Sequence, residues 1–132
     1  MCVIIVKDKL GKLPTKESLE NCFTRNGDGA GFMYTDKDGK VVIDKGYMKF
    51  KNFYKHYQKL CKIYNNFEGK NLVMHMRIST SGGTNVSNTH PFEITDNYED
   101  MKKTYKKCEL GLAHNGIISA THPSKEEETK DL

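Results

Sequence analysis

An α+β domain is the fold class this 132-residue sequence predicts, and three patterns predict it. Cys2, Val3, Ile4, Ile5, Val6 and Lys7 open the chain with a β-branched apolar run that suits a buried strand. Phe50, Phe53, Tyr54, Tyr57, Leu60, Cys61 and Tyr64 recur at steps of three and four, which marks an amphipathic helix over 49–65 with lysines opposite. Residues 72–78 alternate instead: Met74, Met76 and Ile78 take one face of a strand, His75 and Arg77 the other. A hydrophobic content of 36% supplies one core, and the length excludes two domains.

The other elements follow in order. The opening strand places Cys2 at the mouth of a sheet. Residues 10–14 make a turn, and 15–26 a short helix with Thr15 as N-cap and Leu19, Cys22 and Phe23 on one face. A glycine cluster at Gly27, Gly29 and Gly31 enters a strand over 32–35, and Asp36, Lys37, Asp38 and Gly39 turn the chain into a second strand over 41–44. Residues 79–88, rich in Ser, Thr, Gly and Asn, are a loop. A short strand over 92–94 precedes a polar segment with Lys102, Lys103, Lys106 and Lys107, to which the pattern assigns no element. Apolar runs at 110–114 and 117–118 come last, before a polar tail over 121–132.

Composition narrows the function. The longest apolar stretches, 3–6 and 72–74, fall far short of the roughly 20 residues that span a bilayer. The start of the chain lacks the features of a secretory signal, so a cytoplasmic protein without a membrane partner is expected. Cys2, Cys22, Cys61 and Cys108 are widely spaced, which excludes a zinc knuckle or redox dithiol and favours free thiols. The net charge of +4 is mild, and the lysines read as solvated helix faces, which argues against a nucleic-acid partner. Of 21 basic residues only Arg25 and Arg77 are arginines, the side chain that grips a carboxylate with two parallel bonds.

Several apparent motifs fail on detail. Asp36 and Asp38 open like a calcium loop, but the twelfth position is Tyr47. The glycine cluster runs from helix to strand, the reverse of a dinucleotide fingerprint. His75, His90 and His114 lack metal-ligand spacing and a paired carboxylate, so structural histidines are expected, with neither metal nor cofactor.

Cys2 differs from all of these. Its small side chain permits removal of Met1, exposing a residue with both a thiol and a free α-amine. An α-amine titrates at roughly 7.7–8.0 and a thiol at roughly 8.5, so one group can serve as base for the other.

Five segments then carry a resemblance: Met1-Cys2; Arg25-Asn26-Gly27-Asp28-Gly29-Ala30-Gly31; His75-Met76-Arg77-Ile78-Ser79-Thr80-Ser81-Gly82; Asn88-Thr89-His90-Pro91-Phe92; and Leu112-Ala113-His114-Asn115-Gly116-Ile117-Ile118. In this order they resemble the class II glutamine amidotransferases, N-terminal-nucleophile hydrolases that take ammonia from glutamine. The resemblance implies an αββα four-layer sandwich, of which 1–132 would form the N-terminal portion, with 121–132 as tail. It implies Cys2 as nucleophile through a thioester, and Asn115 with the Gly116 backbone N–H as oxyanion hole. Arg77, with Thr80 and Ser81 beside it, would bind the glutamine α-carboxylate, while Arg25 would line the nucleophile and His90 help position substrate. Many relatives carry Trp and His where this chain has Ile78 and Ser81. An acceptor domain would come from a partner protein. The alternatives are hydrolysis of another small amide by the same cysteine, and a silent binding module of the same fold.

Overall fold

The structure is a computed structural model, and it describes residues 1–79 and 83–115. Strands β1 (Val3–Lys7), β2 (Ala30–Thr35), β3 (Val41–Tyr47), β4 (Leu72–Met76), β5 (Phe92–Glu93), β6 (Tyr105–Cys108) and β7 (Gly111–Leu112) form two sheets. Five of them make an antiparallel sheet in the order β1-β4-β2-β3-β6, and β5 pairs with β7. Helices α1 (Lys16–Arg25) and α2 (Phe50–Ile63) cover one face of the larger sheet, and a one-turn helix α3 (Tyr98–Lys102) leads into β6.

The helices form where the apolar spacing demands them. Thr15 caps α1, its Oγ1 accepting from the Ser18 N–H at 3.2 Å, and Leu19 and Phe23 turn inward. In α2 the stripe Phe53, Tyr57, Leu60 and Cys61 is buried. It meets alternate residues of the sheet, where Phe32 of β2 lies between Met74 of β4 and Asp44 of β3. Phe32 stacks on Phe53 with ring centroids 4.6 Å apart, and Phe23 joins Phe53 at 5.8 Å. Aromatic pairs of this kind add about 0.5–1.5 kcal/mol each beyond the area they bury.

The opposite face is built from the residues in between. Across three adjacent strands, Gly31 has His75 on one side and Lys45 on the other. The gap left by Gly31 seats the His90–Pro91 segment: a Cβ there would stand 2.2 Å from the His90 carbonyl oxygen and 3.0 Å from Pro91 Cδ. Gly29, at φ +116°, lets the chain turn beneath Thr89, whose Cγ2 would be 2.2 Å from a Cβ. The β5–β7 sheet continues this layer, with Gly111 packed on Met33, Val41 and Ile43.

Three expectations need correction. Among the described residues the opening run is an edge strand, paired only with β4, and its burial is inverted: Val6 is 63% exposed while Lys7 is buried. Lys7 sits inside because its Nζ donates to the carbonyls of Phe67 and Lys70. The strand expected over 72–78 ends its ladder at Met76, where the glycine turn takes over the pairing. The lysine segment left without an element contains α3 and β6, and its charges are matched by carboxylates. Lys106 pairs with Glu93 and Asp100, and Lys107 with Asp36 at 2.9 Å. Asp36 also closes the hairpin turn, accepting from the Asp38 and Lys40 N–H groups.

Candidate active site

Cys2 precedes β1 directly, and half-buried Sγ reaches across to the chain leaving β4. The Ile78 N–H donates to Sγ at 3.3 Å, and as a thiol Sγ donates to the Ile78 carbonyl at 3.5 Å. One residue thus supplies a donor to a thiolate and an acceptor to a thiol. Met1 is 87% exposed, so its bond to Cys2 lies at the surface.

The strand beside Cys2 is held by the glycine turn. The Arg77 N–H donates to the Gly29 carbonyl at 2.8 Å, the Asp28 N–H to the Arg77 carbonyl at 2.9 Å, and the Ser79 N–H to Asp28 Oδ2 at 2.8 Å. Arg77 is 2% exposed, and its NH1 donates to Ser79 Oγ at 3.0 Å and to the Gly83 carbonyl at 2.9 Å. Asn88 Nδ2 donates to the same carbonyl at 3.0 Å. Arg77 and Asn88, from two of the sequence motifs, therefore fasten the two ends of one loop together.

Next to Arg77 on this face stands a cluster of imidazoles. His75 and His90 have ring centroids 4.2 Å apart, His90 and His114 4.9 Å, and Phe92 lies edge-on to His90 at 4.6 Å. His75 Nε2 is 3.2 Å from the His114 carbonyl, immediately before Asn115. Burial pushes His75 down to about 4 and His90 well below the usual histidine range. Lys45 completes the layer: Nζ donates to the Met101 carbonyl at 3.0 Å and lies 3.7 Å from the Phe92 ring centroid, and burial lowers it to about 7.

The predicted residues thus fall into three groups. Cys2 Sγ meets the backbone of Ile78, the residue after Arg77, and His90 joins Asn115 through His75 and His114. Arg25 ends α1 exposed, with no contact to Cys2 among the described residues. Thr80, Ser81 and Gly116 lie outside the described residues, as does the tail over 121–132. Among the described residues no group of His, Cys, Asp or Glu side chains is arranged to hold a metal ion, and no helix is long and apolar enough to cross a membrane. Sequence reasoning gave no role to Asp28 or Lys45. Asp28 was visible inside the glycine motif, but Lys45 was one lysine among many until the register set it beside Gly31.

A family model described as glutamine amidotransferases class-II matches residues 19–130. The chain belongs to the class II glutamine amidotransferases. No curated protein and no solved structure matches it. The match takes in the glycine turn, the Arg77 strand, the His90 segment and the stretch through Asn115, and it begins after Cys2. Membership of this class supports glutamine amide hydrolysis as the general chemistry. The mixed α/β architecture with an antiparallel sheet is compatible with that membership.

Proposed function

We propose that the protein hydrolyses the side-chain amide of glutamine with Cys2 as nucleophile, and that its fold is the N-terminal portion of an αββα four-layer sandwich. The observation that carries this reading is the placement of Cys2 Sγ against Ile78, beside Arg77 and on the sheet face that bears the His75–His114 contact. The helix layer on one face and the β5–β7 sheet on the other support the layered architecture.

Removal of Met1 frees the Cys2 α-amine, which takes the thiol proton. Sγ then bonds to the amide carbon, and the carbonyl oxygen gains negative charge in the oxyanion hole of Asn115 and the Gly116 N–H. The carbon–nitrogen bond breaks as the α-amine returns its proton to the departing ammonia, leaving a thioester on Cys2. Water, losing a proton to the same amine, attacks the thioester; the carbon–sulfur bond breaks and glutamate leaves. Arg77, together with Thr80 and Ser81, holds the glutamine α-carboxylate, and His90 helps position the substrate; Arg25, exposed at the end of α1, takes no part in this step. The ammonia passes to an acceptor domain on a partner protein.

One observation favours a second reading, an N-terminal cysteine hydrolase for another small amide. Arg77 NH1 already donates to Ser79 Oγ and Gly83 O, which leaves less of the guanidinium for a substrate carboxylate.

Intact mass before and after exposure to a glutamine-analogue affinity label, with peptide mapping, tests both. The expected product lacks Met1 and carries one adduct on Cys2, with Cys22, Cys61 and Cys108 unmodified. An adduct spread over several thiols, or none, would overturn the glutamine reading. Labelling of Cys2 only by a different amide-derived electrophile would support the second.

A further inference from the structure

We propose that His75 is a positioning residue for the oxyanion site, holding in place the peptide that carries Asn115. The inference rests on the reading of Asn115 as an oxyanion donor. His75 is fully buried in β4, two residues before Arg77. Its Nε2 faces the His114 carbonyl at 3.2 Å, and a carbonyl can only accept. The ring is therefore the Nε2–H tautomer. The carbonyl it grips belongs to the peptide bond between His114 and Asn115, so this bond fixes the plane from which Asn115 extends. Asn115 is itself exposed, and its place depends on the peptide before it.

The anchor is rigid because His75 is packed from several sides. His90 lies 4.2 Å from the His75 ring and 4.9 Å from the His114 ring, packing against both, with Phe92 edge-on to His90. His90 in turn cannot move freely, since its carbonyl is seated in the gap above Gly31. The titratable and charged groups that bear on the cluster are Arg77 on β4, Lys45 on β3 and His114 after β7, and each opposes a further positive charge. Burial, with Arg77 and His114, keeps His75 neutral, with one proton to donate and a fixed direction in which to donate it.

Glutamine hydrolysis by the full chain, with kcat and KM measured separately, tests the assignment in His75→Leu and His75→Gln. Leucine fills the space without a donor, whereas the glutamine amide presents an N–H close to the place of Nε2. His75→Leu is expected to lower kcat by about tenfold or more with KM changed less than about twofold, because an oxyanion contact acts in the transition state. His75→Gln should recover most of the loss. Unchanged kcat in His75→Leu, or equal losses in both variants, would overturn the proposal. Cys2→Ala separates the two levels. Full activity there removes the nucleophile reading itself, whereas lost activity there beside an unaffected His75→Leu removes only the positioning role. Nitrogen-15 spectra of the imidazoles give a readout without turnover or substitution. His75 is expected as the Nε2–H tautomer at neutral pH, with the Asn115 amide signal shifting as His75 takes up its acid proton. The opposite tautomer, or an Asn115 signal indifferent to that titration, would overturn the assignment.

Discussion

The two faces of the five-stranded sheet are made by alternate residues of the same strands, yet they have opposite chemistry. Toward the helices, β2 and β4 present Phe32, Tyr34, Leu72, Met74 and Met76 to a continuous apolar core. The buried carboxylate on that side, Asp44, is matched by His56 at 2.5 Å and Tyr47 at 2.8 Å. Toward the other side β2, β4 and β3 present Gly31, His75 and Lys45, with His90 and His114 above them. One face is satisfied by area removed from water, and its buried polar groups have partners. The other keeps basic groups where water is excluded, which costs stability and makes sense only where chemistry uses it. A strand with period two can serve both demands at once.

The sharpest way to break this division is a pair of substitutions, one at the nucleophile and one on the helix face. Cys2→Ala is expected to lower glutamine hydrolysis on the order of 10³-fold or more while leaving the urea unfolding midpoint unchanged. Phe53→Ala removes the ring stacked on Phe32 and should cost about 3–5 kcal/mol of stability. Its folded fraction should still hydrolyse glutamine. A Phe53→Ala protein with its midpoint intact but activity gone would show that the two faces are not separable.

The helix face was the legible one. The three- and four-residue spacing of Phe53, Tyr57 and Leu60 and the cap at Thr15 fixed both helices to within a residue or two, because burial and capping are local rules. The edges of the sheet were harder. In β6 the lysine charges hide the alternation, and the ladder with β3 that makes a strand of it joins residues more than 60 positions apart. The Val3–Lys7 strand was found, but its buried lysine depends on carbonyls at Phe67 and Lys70 that no local pattern announces. Within the candidate site, Cys2 and Arg77 stood out by residue type and by resemblance. The contact between His75 and the His114 carbonyl joins residues 39 positions apart, so it had no signal in sequence.

Acid should act on the histidine face before it reaches the ion pairs. An unfolded histidine takes up its proton near 6.5, whereas burial holds His75 down at about 4 in the fold. Between those values the unfolded chain binds a proton that the folded chain refuses, so stability falls as pH drops from about 6.5 to about 4. For His75 the loss is on the order of 3 kcal/mol, and the lowered His90 adds to it in the same direction. The Lys45 penalty is complete once pH is below about 7, so it contributes no further slope there. Asp36 and Asp100, lowered chiefly by hydrogen bonds from Lys107 and from Lys103, lose their contribution only as pH falls below the ordinary carboxylate range. Urea midpoints at pH 7, 5.5 and 4.5 check the order. A flat profile down to pH 4.5 would mean that the imidazole cluster is not buried as described.

The smallest effect is also the one that joins the faces. Gly31 lies between Phe32 on the helix side and the His90–Pro91 segment on the other, and an added Cβ would stand 2.2 Å from the His90 carbonyl and 2.6 Å from Lys45 Cβ. Neither atom is the free end of a flexible side chain, so Gly31→Ala must displace backbone, at a cost of about 1–3 kcal/mol. That displacement moves His90, against which His75 is packed. Unlike Cys2→Ala and Phe53→Ala, Gly31→Ala should therefore lower the unfolding midpoint and kcat together, with KM less affected. Measured against His75→Gln, the result also separates two routes to Asn115. If Gly31→Ala destabilises the fold but leaves kcat of the folded fraction intact, the hydrogen bond from His75 positions Asn115 without help from His90. A joint loss means that His75 and His90 together are the support.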